Sequence, residues 1–205
     1  MRRLLAAVAM IAVVVAALWA WPLVGAAQLA RAAGAGDAGQ VFEQVDVDGL
    51  RRSLARQIAA AYLDVSGKGR KLSGFGRSMA GAAVTTVADP YVAQLLTPDN
   101  VTALLSKGRI SPVSLGGRPV AIKGELPDFT TLFDGHLFAA VTGSYFDQPR
   151  DFVIPIEGGR GPDDRYGLHM HLVGWSWKLG GLDLPPPLVD QIARSILAAE
   201  PQPAL

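Results

Sequence analysis

The feature that most constrains this chain is the uncharged segment that follows Arg2 and Arg3 and extends from Leu4 to Ala30. Its large apolar residues are densest between Leu4 and Val24, and a helix over those positions would be about 31 Å long. That length matches the hydrocarbon core of a bilayer, and a helix satisfies its own backbone hydrogen bonds, as lipid requires. We therefore predict a transmembrane signal-anchor over residues 1–24, with the lipid bilayer as its partner through residues 4–24.

The flanking charges predict the orientation of this segment. Two arginines precede it and only Arg31 follows closely, so the positive-inside rule places the N-terminus in the cytoplasm and the remainder outside. Trp19 and Trp21 lie near the far end, where amphipathic rings favour the membrane interface.

A cleaved signal peptide is the alternative. Small residues at Val24 and Ala26, or at Gly25 and Ala27, offer cleavage positions. The apolar region is longer than the 7–15 residues typical of a cleaved peptide, which favours the anchor. In either case the bulk of the chain is exported.

Composition limits the function of the exported part. Beyond the first thirty residues, 17 basic residues meet 18 acidic ones, a balance that argues against nucleic-acid binding. The chain has no cysteine, so it forms no disulfides and its core has to stabilise it alone. Richness in Ala, Gly and Val is typical of bacteria, and we predict a single-pass protein of the bacterial inner membrane with a periplasmic domain.

Helix signals dominate the first half of the chain. Asp37 is a candidate N-cap for a short helix that ends at Gln44, and Asp46 is one for the next helix. That second helix has apolar residues at helical spacing and closes at Gly67 and Gly69. Its apolar face is predicted at Val47, Leu50, Leu54, Ile58, Ala61 and Tyr62. Further helices are predicted over residues 26–33, 78–87, 90–96, 98–106 and 187–199.

The second half has the two-residue period of strands. Four strands are predicted, and Lys107 to Pro119 is predicted to be a loop. Turns at residues 147–150 and at Val173-Gly174 would pair Tyr145 with Phe152 and Leu172 with Trp175. The strands are predicted at Leu137–Phe146, Asp151–Glu157, Tyr166–Leu172 and Trp175–Leu184.

Helices followed by antiparallel strands indicate an α+β fold with helices on one face of a curved sheet of about four strands, and a C-terminal helix. The domains are predicted as a juxtamembrane helix over residues 25–36, an exported domain over 37–199 and a disordered tail over 200–205.

His169 and His171 are the sharpest candidate site, because residues two apart on a strand point the same way and can share a metal. In the predicted hairpin Met170 pairs with Trp177 on the core face, which leaves the histidines opposite Lys178 and Ser176. A lysine across from His169 is a poor neighbour for a dication, so no metal site is predicted.

Other polar segments have structural explanations. Gly158–Gly161 precedes a strand rather than the helix that a phosphate loop needs, so a hairpin loop is predicted. Lys68–Lys71 is interpreted as a solvated loop. The acidic pairs Asp46/Asp48 and Asp163/Asp164 suit a helix N-terminus and a turn. His136 has no assignable partner, and no catalytic, cofactor-binding or metal-binding residue is predicted.

Several segments together resemble the DUF2939 family of bacterial proteins. They include Ala32-Ala33 through Gly36-Asp37, Val45–Leu54, and Thr97–Val101 with Leu104-Leu105. Trp177-Lys178-Leu179 and Leu182–Pro185 resemble the family's C-terminal end, whereas Val47 and Gly49 replace the usual Phe and Pro. The resemblance implies an N-terminal membrane segment and no catalytic residue, since the family has no known function.

We therefore expect a non-enzymatic binding or scaffolding module of the cell envelope, with an envelope protein as a further partner. The alternative is a protein with a pocket for a small apolar ligand. In one version of this hypothesis the protein also hydrolyses its ligand. That pocket would be lined by Tyr145, Phe152, Met170, Trp175 and Trp177; an ordinary core is the competing explanation for these residues.

Overall fold

The computed structural model of the 205-residue chain describes residues 2–67, 92–93, 96–107, 113–115, 118–120, 142–157 and 165–199. Several predictions fall outside the described residues. They are the helix over 78–87, most of the helix over 90–96, the loops 68–71 and 158–161, His136, Asp163/Asp164 and the tail 200–205.

The fold is α+β, as predicted, with five helices and one four-stranded sheet among the described residues. A long apolar helix comes first and an amphipathic helix comes last. The helices are α1 (Arg2–Gly34), α2 (Ala38–Glu43), α3 (Val47–Val65), α4 (Pro98–Lys107) and α5 (Pro186–Ala199). The strands are β1 (Val113–Leu115), β2 (Arg118–Val120), β3 (Tyr145–Gln148), β4 (Asp151–Glu157), β5 (Arg165–Val173) and β6 (Ser176–Asp183).

Two aspartates start helices α2 and α3 where the sequence predicts them. The Asp37 carboxylate accepts the Gln40 N–H at 3.0 Å, and the Asp46 carboxylate accepts the Gly49 N–H at 3.1 Å. Each bond satisfies one of the free donors at a helix N-terminus. Local chemistry of this kind needs no distant partner, which is why the sequence predicts it.

Strands β3 to β6 form an open antiparallel sheet in the order β3-β4-β5-β6. The helices contribute their apolar faces to one core with one side of this sheet. Helix α1 contacts β5 and β6, and α3 packs between β6 and α5. The opposite side of the sheet is called the outer face here.

The β5–β6 turn lies one residue later than predicted, so the pairing of the two strands differs by two residues from the prediction. Gly174 and Trp175 form the turn, so that Val173 pairs with Ser176 and Leu172 with Trp177. Gly174 has a φ of +64°, a conformation that favours glycine, and this fixes it as the first central residue of the turn. Trp175 therefore lies in the turn and not on the core face.

A bulge in the same hairpin brings Leu182 to the core face. Met170 pairs with Leu179 but His169 pairs with Gly181, so Gly180 is the extra residue of β6. The alternation shifts there, which keeps Leu182 buried opposite Leu168.

Three other predictions are corrected. In the β3–β4 hairpin Phe146, not Tyr145, pairs with Phe152, because an irregularity precedes the Gln148–Asp151 pair. Of the strand predicted over Leu137–Phe146, residues 137–141 lie outside the described residues, and the described part forms a strand only from Tyr145, after helical residues 142–143. The predicted loop from Lys107 to Pro119 contains β1 and most of β2, which pair as a hairpin. Gly116-Gly117 separates these strands in the sequence and is itself a recognised hairpin signal.

The edge of β6 that no strand pairs with is covered by two other groups. They are the backbone that precedes α3 and the side chain of Gln57 in α3. Leu179 donates its N–H to the Gln44 carbonyl, and its own carbonyl accepts the Asp46 N–H. Further along, the Gln57 amide donates to the Leu182 carbonyl at 2.7 Å and accepts the Leu184 N–H at 3.0 Å. These bonds satisfy an edge that would otherwise offer unpaired backbone groups to another strand.

Candidate membrane-facing end and histidine–aspartate cluster

Helix α1 has two parts with different surroundings. Residues 3–20 are all exposed, although they form the most apolar part of the chain. From Pro22 onward one side of the same helix is buried in the domain, with Ala26, Leu29 and Ala33 in the core. The helix is long and apolar enough to cross a membrane, and by the same test it is compatible with a signal sequence.

Small residues let the buried part of α1 approach the sheet closely. A Cβ added at Gly25 would lie 2.9 Å from both the Cβ and the carbonyl oxygen of Trp177 on β6. Ala26 and Ala33 are also buried on this part of the helix. Two of the residues that resemble a cleavage site in the sequence, Gly25 and Ala26, are therefore packing positions in the fold.

Aromatic rings surround the point where α1 enters the domain. The Trp19 ring meets those of Phe146 and Phe152 edge-on, each at a centroid distance of 5.8 Å. Trp21 stacks on Trp175 of the β5–β6 turn at 6.2 Å and 22°. The β3–β4 turn lies at the same end of the sheet, since the Arg150 carbonyl accepts the Leu172 N–H. We call this end of the domain, where the two turns meet Trp19 and Trp21, the aromatic rim.

A histidine–aspartate cluster occupies the outer face of the sheet. His169 Nε2 lies 2.8 Å from Asp183 Oδ2, and its Nδ1 lies 3.5 Å from Asp151 Oδ1. His171 Nε2 lies 3.4 Å from that same Asp151 oxygen, and its Nδ1 lies 3.9 Å from Asp46 Oδ2. The cluster thus joins the starts of β4 and α3, the middle of β5 and the end of β6.

The bulge on β6 makes room for both imidazole rings. A side chain at Gly180 would overlap the ring of His171, and one at Gly181 would lie 3.0 Å from the Cβ of His169. Lys178 pairs with His171, whereas the predicted hairpin paired it with His169. The proximity of a lysine to His169 therefore cannot be the reason to exclude a metal there.

The surroundings of His169 favour its charged form. The hydrogen bond to Asp183 raises the pKa of His169 above its ordinary value, partial burial opposes that rise, and the charges of Asp183 and Asp151 add to it. As an imidazolium, His169 donates from Nε2 to Asp183, while Nδ1 faces Asp151. Both nitrogens are thus directed at carboxylates, which suits a cross-strand clamp better than a general base with a free nitrogen.

The described residues contain no group of three or more His, Cys, Asp or Glu side chains that is arranged to hold a metal ion. The residues proposed for an apolar pocket also lie in different environments. Phe152, Met170 and Trp177 are buried in the core, whereas Trp175 is exposed at the aromatic rim and Tyr145 is exposed at the start of β3.

Sequence reasoning found the two histidines but missed their partners. Asp151 and Asp183 stand at a strand start and a strand end, and only the pairing of β4, β5 and β6 brings them together. The sequence analysis also placed Trp175 on a strand. Gly174, which directly precedes Trp175, was the signal that marked the turn.

Comparison with known proteins gives one family. The model of DUF2939, a protein of unknown function, matches residues 11–104 and confirms the resemblance. The match includes α1 from residue 11, α2, α3 and α4 up to Leu104, so the passage of α1 from exposed to buried lies inside it. The C-terminal segments that resemble the family, Trp177–Leu179 and Leu182–Pro185, lie outside it, as does the four-stranded sheet. No curated protein and no solved structure matches the chain.

Proposed function

We propose that the protein, which matches the DUF2939 family model over residues 11–104, is a single-pass, membrane-anchored binding or scaffolding module of the bacterial cell envelope. Helix α1 stays attached as a signal-anchor in the inner membrane, with the N-terminus in the cytoplasm and the folded domain in the periplasm. The role is non-enzymatic and depends on holding the domain next to a membrane partner.

One observation carries this proposal: α1 runs without interruption from its exposed apolar part into the core of the domain. A segment made only for export would not need to fill a core. Cleavage near residues 24–27 would remove Pro22, Gly25 and Ala26 from their contacts or leave them at a new chain end. Retention of α1 instead gives the domain a rigid connection to the bilayer, because no flexible linker intervenes.

The histidine–aspartate cluster supports the non-enzymatic role. His169 has a carboxylate at each ring nitrogen, and the partners come from separate strands, so the cluster ties β4, β5 and β6 together. The outer face around it, where the histidines and Lys178 are half-buried, is the surface on which we expect a protein partner to bind.

Location is tested with cysteines introduced one at a time, since the natural chain has none. Arg194→Cys lies on the exposed side of α5, and the neighbouring Ala193→Cys is fully buried and serves as its matched control. A maleimide that does not cross the inner membrane should label the first in intact cells, and the second only after denaturation. Labelling of Arg194→Cys only after the inner membrane is broken would contradict a periplasmic domain.

The binding role is tested in the same cells with a photo-crosslinking residue at Lys178 on the outer face or at Arg194 on α5. One reproducible protein adduct from Lys178, with none from Arg194, would support a partner at the outer face. The absence of an adduct at both sites, in chains that are intact and membrane-bound, would contradict the scaffolding role.

A further inference from the structure

We infer that the aromatic rim is a lipid-contacting surface, and that the β5–β6 turn rests in the headgroup–acyl boundary of the same bilayer that α1 crosses. This inference rests on the proposed function, because it needs α1 to remain in the membrane. It assigns a partner, the phospholipid interface, to a part of the domain that lies 150 residues further along the chain than the anchor.

The length of α1 sets the depth of the rim. Its exposed part, residues 3–20, measures about 27 Å, and a hydrocarbon core of about 30 Å needs about 20 helical residues. A span that begins at Leu4 would therefore end near Leu23. The domain already contacts α1 at Trp19 and buries Pro22, so it meets the helix at or just inside the membrane boundary. Any tilt of the helix shortens its span and brings the domain closer still.

The turn of β5–β6 lies at that same depth. Trp175 stacks on Trp21 with ring centroids 6.2 Å apart, a distance that spans only about four residues of helical rise. If Trp21 lies at the membrane interface, Trp175 therefore lies within a few ångströms of the same depth.

Two of the three exposed apolar side chains of the domain lie at this end. Outside α1, the large hydrophobic side chains that the described residues leave exposed are Tyr145 (51 %), Val173 (45 %) and Trp175 (84 %). Val173 and Trp175 lie in or beside the β5–β6 turn, whereas Tyr145 lies further along the sheet, opposite Val153. Tryptophan and tyrosine are enriched where a membrane meets water, because one part of each ring system is apolar and another forms hydrogen bonds. A lipid interface therefore accounts for an indole that water would otherwise surround.

Charge indicates which kind of lipid contact this is. Asp147 and Arg150 are both exposed and flank the β3–β4 turn at the rim, and their charges cancel. Among the described residues, the rim therefore has no cluster of basic residues of the kind that recognises anionic lipid. We expect the contact to depend on the aromatic rings and to persist in a bilayer of zwitterionic phosphatidylcholine.

The test uses the full chain with a nitroxide on a single introduced cysteine, reconstituted in phosphatidylcholine nanodiscs. The label is placed at Val173 in the rim, at Val14 in the exposed part of α1, or at Arg194 on the far helix. Collision with oxygen and with a water-soluble nickel chelate then reports the depth of each label. We expect the label at Val173 to resemble the one at Val14 in its poor access to nickel, and the one at Arg194 to be fully accessible.

A second variant shows whether the indole causes the contact. Adding Trp175→Ser to the Val173 label should raise its access to nickel, while the label at Val14 stays protected. A water-accessible label at Val173, with Val14 protected, would overturn the rim and leave the anchor standing. Accessible labels at both positions would overturn the anchor and the rim together. Protection at Val173 that appears only with anionic lipid would replace the aromatic contact by an electrostatic one and also overturn the inference.

Discussion

Replacement of Leu29 by alanine tests whether α1 is part of the core of the domain. Leu29 lies on the buried part of this helix, where only 3 % of its surface is exposed. Leu5 lies in the same helix but is 69 % exposed, so Leu5→Ala makes the same chemical change with nothing packed around it. Any effect of the substitution on helix propensity is common to both variants.

The expected loss of stability follows from burial. Removing a fully buried leucine side chain costs its transfer free energy plus the energy of the cavity, in total about 3 kcal/mol or more. At about 1.4 kcal/mol per factor of ten, this lowers the ratio of folded to unfolded domain by roughly 100-fold. For a domain of this size it corresponds to a fall in Tm of about 6–12 °C.

The assay is thermal unfolding of the full chain in detergent, followed by near-ultraviolet circular dichroism of the tryptophans. We expect Leu29→Ala to unfold well below the unsubstituted chain and Leu5→Ala to unfold with it. Equal Tm values for the two variants would refute the reasoning, because the buried part of α1 would then contribute nothing to the domain.

Three further predictions concern the close approach of α1, the edge of β6 and the cluster. Gly25→Ala should lower the free energy of unfolding by denaturant, because its methyl group would lie 2.9 Å from a backbone oxygen of β6. Gly39→Ala should leave that free energy unchanged or raise it, since its methyl group would lie 3.4 Å from Asp37 Oδ1, an ordinary van der Waals contact. Gln57→Ala should lower the free energy of unfolding by about 1–3 kcal/mol in the same titration, because the Leu182 carbonyl and the Leu184 N–H would lose their partner. A change below about 0.5 kcal/mol would argue against a stabilising role of Gln57 at the edge of β6. The pKa of His169 is raised in the folded chain, so its pairing with Asp183 stabilises the fold fully below the ordinary histidine pKa of about 6.5. This stabilisation is lost as the pH rises through the raised pKa. Because Asp183 is half exposed, we expect it to amount to at most about 1 kcal/mol. Unfolding measured from pH 5 to 9 should show this loss in the unsubstituted chain and not in His169→Asn, and the same pH dependence in both would exclude His169 as its source.

The parts of the fold that the sequence predicts are those with local causes. Asp37 and Asp46 cap helices through bonds that span three residues, and the spacing of Leu50, Leu54 and Ile58 defines a face without knowledge of what covers it. The apolar character of residues 4–24 likewise depends on composition alone.

The remaining features depend on contacts between distant segments. Ala26 and Ala33 are small and give no amphipathic pattern, so only the distant sheet, which begins at Tyr145, shows which side of α1 is buried. The β5–β6 turn lies one residue later than predicted because Gly174 adopts a positive φ, and the pattern of apolar residues does not reveal this, since moving the turn by one residue leaves Trp177 and Leu179 on the same face. Asp151 and Asp183 join the cluster through strand pairing, which no spacing in the sequence encodes.

The measurement that tests the central claim most directly is the intact mass of the protein recovered from its native membrane by detergent extraction. If α1 anchors the domain and fills its core, the protein in the membrane fraction should still carry α1, and its mass should include the apolar segment from Leu4 to Val24. Recovery of a soluble chain that begins near residues 25–28 would contradict the account, because the domain would then exist without the helix that we propose to connect it to the bilayer.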